Sequence, residues 1–125
     1  IIGDTLIAEP RAYRLRTGSP AQPVAGMGDF YLQTRRGCGT LTGSQSCLFF
    51  RDDSPSLVEL SSSGVTQKIT EVTRPGCWIN IIPAAGLVLL PESSAGCVCG
   101  YSLQTSMAFI PRNPNPPPLP QEGTP

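Results

Sequence analysis

Apolar and polar positions along this chain alternate in short runs broken by Gly, Pro, Ser and Asp. Over residues 11–17, Ala12, Arg14 and Arg16 alternate with Tyr13, Leu15 and Thr17. That period of two predicts a strand with one polar and one half-buried face. Thr17-Gly18 predicts the turn that ends it. Before it, apolar residues flank Gly3-Asp4, which reads as a strand end, a tight turn and a new strand over residues 5–8. The middle of the chain predicts strands at residues 40–42, 46–51, 56–60 and 65–70, with residues 52–55 as a loop by composition. Ser46-Cys47-Leu48-Phe49-Phe50-Arg51 reads as a strong buried strand. Further on, strands are expected at residues 78–82, 87–90 and 106–110, with residues 83–86 as a turn.

These units recur. The turn-then-buried-strand pattern centres on Leu6, Leu48 and Val88, which are 42 and 40 positions apart; Leu15 and Leu60, at the strand-then-Gly pattern, are 45 apart. A repeat of roughly 40–45 residues holding several short strands predicts propeller blades. An evenly spaced β-sandwich is the competing architecture. The expected buried set is Leu6, Leu15, Leu48, Phe50, Leu60, Ile81, Val88 and Leu89.

Composition narrows the class. With 13 Gly and 14 Pro in 125 residues, long helices are not expected, because each interior Gly costs about 1 kcal/mol and each Pro about 3. Nine basic residues balance nine acidic ones, so the basic excess of a nucleic-acid binder is missing. No apolar run approaches the roughly 18 residues of a membrane-spanning helix. Histidine is absent, which removes the Ser-His-Asp triad, the Cys-His dyad and His-ligated zinc. No phosphate loop or nucleophile elbow is present. Asp52 and Asp53 read as solvated turn residues, and no catalytic residue is expected. From residue 111 to 125 there are seven Pro and little that is apolar beyond Leu119. This predicts a globular part over residues 1–111 and a disordered Pro-rich tail over residues 112–125.

Five cysteines remain. Cys38, Cys77, Cys97 and Cys99 lie beside glycines, which let backbones approach closely enough for a disulfide. They are the expected disulfide formers, and they imply an oxidising compartment. A Cys₄ zinc site is the rival; it fits less well because zinc sites usually use paired Cys-x₂-Cys knuckles. Cys47 opens a buried strand and is expected to be a free thiol.

Residues 11–18 (Arg-Ala-Tyr-Arg-Leu-Arg-Thr-Gly) resemble the end of a PQQ-type propeller repeat. Arg36-Gly37-Cys38 through Phe50-Arg51, Pro75-Gly76-Cys77 and Cys97-Val98-Cys99-Gly100-Tyr101 are similar to the closing blades of large bacterial PQQ-like (quinoprotein-like) β-propeller proteins. The resemblance implies an all-β partial propeller of about two to three blades, part of an incomplete ring finished by further blades of a parent chain. It also implies a periplasmic or extracellular protein of the bacterial envelope. The expected function is a non-catalytic scaffold or protein-binding surface. Part of a PQQ-dependent oxidoreductase and a small secreted disulfide-stabilised β domain are the alternatives. Cys97 and Cys99 are not vicinal and Trp78 is the single Trp, so PQQ is expected only in the full-length protein and no cofactor in this segment.

Overall fold

The computed structural model describes residues 1–8, 11–22, 38–60, 65–92, 96 and 103–112. Cys97, Cys99 and the tail from Asn113 onward lie outside the described residues. Among those described there is no helix. The described residues form ten short strands in three antiparallel sheets, none of them closed.

The first sheet holds β1 (Thr5–Ala8), β2 (Arg11–Arg14) and β3 (Pro20–Ala21). The second holds β4 (Thr42–Gly43), β5 (Cys47–Asp52), β6 (Ser54–Glu59) and β7 (Thr66–Lys68). The third holds β8 (Ile82–Ala84), β9 (Leu87–Leu90) and β10 (Met107–Phe109). In every sheet the strands lie side by side in chain order, so each is a simple meander.

The turns follow local chemistry. Gly3 takes a φ of 55°, and the backbone of Ile2 and Thr5 closes around Gly3-Asp4 with bonds of 2.9 and 3.0 Å. Ala85 and Gly86 both have positive φ, 50° and 77°. That is the pairing a two-residue hairpin with the right-handed twist of its strands requires.

The second sheet is packed on both sides. Leu48, Phe50 and Val58 project from one face, where Ile2 and Ile7 of the first sheet's end of the molecule pack on them. Phe49 projects from the other face and joins Ile81 and Leu90, with Cys47, Leu57, Val88, Met107 and Phe109 around them. β5 therefore buries four successive residues, Leu48 to Arg51. Close approach is visible at Gly43, where a Cβ would stand 2.6 Å from Ile2 Cδ1. On the other face, Thr42 Oγ1 donates to the Ile81 carbonyl at 2.7 Å.

Several expectations are corrected. Leu6 and Leu15 are exposed, at 38% and 48%, because they lie on the outer side of the first sheet, away from Ile7. Leu60, Val88 and Leu89 are half-buried, while Leu48, Phe50 and Ile81 are buried as expected. Residues 52–55 are a tight hairpin and not a loop: Asp52 pairs with Ser54 around Asp53, which takes a φ of 56°. Cys77 to Ile79 bend, and the strand begins at Ile82, where residues 83–86 were expected to turn. The Asn80 amide is spent on a hydrogen bond to the Thr40 carbonyl, which fixes the bend.

Candidate functional site

The segment Thr73 to Cys77 is buried although it belongs to no named strand. Neighbouring backbone holds it in place. Gly76 N donates to Pro91 O at 3.0 Å, and Leu103 N donates to Val72 O at 2.8 Å. Thr73 Oγ1 donates to the carbonyls of Leu103 and Thr105, at 3.1 and 3.2 Å. From the other side, residues 38–40 lie against it: a Cβ on Gly39 would be 3.2 Å from the Cys77 carbonyl oxygen.

Inside this frame stand two buried arginines, Arg51 from β5 at 5% exposure and Arg74 at 3%. Both direct Nη1 at the sulfur of Cys77, at 3.8 Å from Arg51 and 3.3 Å from Arg74. The Nε of Arg51 is buried without a hydrogen-bond partner. Sequence reading did not find this centre, because an Arg ending a strand and an Arg before Pro look like ordinary solvated charges.

The other expected site residues are placed as follows. Cys38 is exposed, on the chain next to the Gly39–Cys77 contact. Cys47 is half-buried, in the other core cluster beside Phe49, away from the arginines. Among the described residues no disulfide is formed and no group of metal-ligating side chains gathers. No helix is long and apolar enough to cross a membrane among the described residues. Trp78 stands 85% exposed, next to Ile79 at 51%.

A second feature is a groove of about 580 Å³ between the second and third sheets, with mainly apolar walls from Cys47, Phe49, Leu57, Ile69, Val88 and Phe109. On the outer surface, Lys68 Nζ donates to Glu71 Oε1 at 2.5 Å. That hydrogen bond, and then the opposite charge, raise Lys68 and lower Glu71 from their ordinary values. Both side chains are exposed, so the pair stabilises little. By sign, what Glu71 contributes is present above the ordinary carboxylate range and is lost as pH falls through its lowered value.

Compared with family models, curated proteins and solved structures, the chain matches none.

Proposed function

We propose that the chain is a non-catalytic β-propeller segment of an exported bacterial protein, serving as a scaffold or protein-binding surface. One observation carries this reading: the second sheet buries both faces, one toward the first sheet's end and one toward the third sheet. Chain-consecutive meanders stacked face to face are what radial repetition of blades requires. The stack leaves two outer faces that still carry apolar side chains. On the first sheet these are Leu6, Tyr13 and Leu15. On the third they are Ile82, Leu89 and Ala108, around a shallow hollow of about 340 Å³. Further blades of the parent chain are the partners that fit such faces, because a neighbouring sheet removes the apolar surface from water.

Sedimentation equilibrium tests this with Leu6→Lys and Leu89→Lys. The chain is expected to self-associate reversibly through its outer faces, and each substitution to weaken that association by about tenfold or more, roughly 1.4 kcal/mol. The melting temperature should stay within a few degrees, since neither side chain is in the buried core. A monomeric chain that binds no apolar dye would refute the reading.

For the cysteines we propose disulfide formation among Cys38, Cys77, Cys97 and Cys99 in an oxidising compartment. What supports it is that residues 38–40, and both Pro91 and Leu103 flanking the segment with Cys97 and Cys99, lie against residues 72–77. Protein isolated without reductant should have an intact mass lower by four hydrogens and one alkylatable thiol, Cys47. Five alkylatable thiols would defeat it.

A further inference from the structure

We propose that β10 is the acceptor edge of a peptide-binding groove. An extended, proline-free segment of a partner protein adds beside it as a fourth, antiparallel strand of the third sheet. Its uncharged apolar side chains enter the groove between the second and third sheets. This goes beyond the scaffold reading, because it concerns a sheet edge and not the outer faces, and it does not depend on further blades.

The direction of the free backbone groups follows from the pairing. Ala84 and Leu87 flank the two-residue turn Ala85-Gly86. In such a hairpin the flanking pair exchanges both backbone hydrogen bonds, and the bonded side then alternates along each strand. Leu87 therefore bonds to β8, and Val88 to β10, where its partner is Phe109. One residue back, the N–H and C=O of Ala108 point away from β9. β10 ends its sheet, so among the described residues no strand takes them up.

Open edges are normally blunted by proline, charge or shortness. The other edges here are blunted or met. β3 carries Pro20 and β8 carries Pro83. β7 ends on Lys68, which is paired with Glu71. β4 is two residues long, and Ile2 bridges to Thr5 at the start of β1. β10, with Met107, Ala108 and Phe109, carries none of these devices.

The second sheet shows what would lie beside β10. Thr42 of β4 donates to the Ile81 carbonyl just before β8, and Phe49 of β5 shares a core with Val88 and Leu90 of β9. Leu57 of β6 packs on the same core as Met107 and Phe109 of β10. β7 has no counterpart in the third sheet among the described residues. The groove of about 580 Å³ opens between Ile69, just past β7, and Phe109 to Pro111, at the end of β10. A residue of an added strand opposite Phe109 puts its side chain on the same sheet face as Phe109. That face is turned toward Leu57 and Ile69. The described walls of the groove hold no charged side chain, and an unpaired charge buried there would be costly. The sequence after Pro111 does not fit the role. From residue 113 to 125 its longest proline-free stretch is Gln-Glu-Gly-Thr, with no apolar side chain, and proline gives a ladder no N–H. A second copy docked edge to edge would bring three residues that stop at Ile110-Pro111, too short to fill the groove.

The test uses the 125-residue chain and a fluorescein-labelled probe peptide of alternating valine and threonine with a lysine at each end. Anisotropy is expected to rise saturably, and bound peptide to protect the Ala108 amide from hydrogen exchange. Ala108→Pro removes the outward N–H and leaves the bonds of Met107 and Phe109 to β9 in place. It should weaken binding by about tenfold or more. With valines in the groove, the threonine N–H groups face Ala108, so a peptide N-methylated at threonine should lose binding and one N-methylated at valine should keep it. No saturable binding, full binding to Ala108→Pro, or no loss with either methylated peptide overturns the proposal. So does a loss with Leu89→Lys, which would move the peptide to the outer face. If Ala108→Pro does not fold, the two methylated peptides decide on the unaltered chain.

Discussion

Phe50→Ala is expected to destabilise the chain by about 3–5 kcal/mol, the range for removing a fully buried aromatic ring. Phe50 is 0% exposed and forms one core with Leu48 and Val58. The neighbouring Phe49, at 4%, points the opposite way into the core with Ile81 and Leu90. Phe49→Ala is therefore expected to cost a similar amount, through a different interface. In an ordinary two-layer sheet one of two adjacent strand residues would face solvent and tolerate the change. Urea denaturation of both variants checks this. If either costs less than about 1 kcal/mol, typical of a surface position, the second sheet is not packed on both sides.

Gly39→Ala is expected to cost roughly 2–4 kcal/mol, combining backbone strain with overpacking. Gly39 takes a φ of 97°, and an added Cβ would lie 2.9 Å from Asn80 Nδ2 and 3.2 Å from the Cys77 carbonyl. The Asn80 side chain cannot simply move aside, because it is 4% exposed and donates to the Thr40 carbonyl. Gly18→Ala is the comparison: its φ is 68°, but nothing lies within 4 Å of the new atom. It should show strain alone and lose about 1 kcal/mol. Equal losses in the two variants would mean that the fit of residues 38–40 against Cys77 does not stabilise the fold.

The legible parts of this fold were those with a local signal. Gly3-Asp4 turned as its composition requires, and β5 announced its burial by four apolar residues in a row, though not that two different sheets would cover its two faces. Alternation at Tyr13 and Leu15 located β2 and separated its two faces, but could not say that the Leu15 side would be left uncovered. That depends on which sheet packs where, which no local pattern encodes. β3 was missed because Pro20–Ala21 is too short to show a period. Residues 78–82 look like a strand by apolar content, yet Asn80 is captured by Thr40, 40 positions away. The arginine–cysteine centre was illegible for the same reason. Arg51 and Cys77 are 26 positions apart, and only the tertiary contact brings an arginine from β5 onto this sulfur.

The chain-order meanders also bear on how the protein is made. Among the described residues every strand pairs with one that precedes or follows it directly, so none of these sheets waits for a strand from another sheet's stretch of chain. Loop closure within a sheet is correspondingly inexpensive in entropy, and pairing can proceed as the polypeptide leaves the ribosome. What must wait is docking. The side of the first sheet that carries Ile7 has no cover until β5 and β6 arrive with Leu48, Phe50 and Val58. The nascent chain thus always presents one unfinished apolar surface at its growing end, and the next sheet to emerge is the piece that closes it.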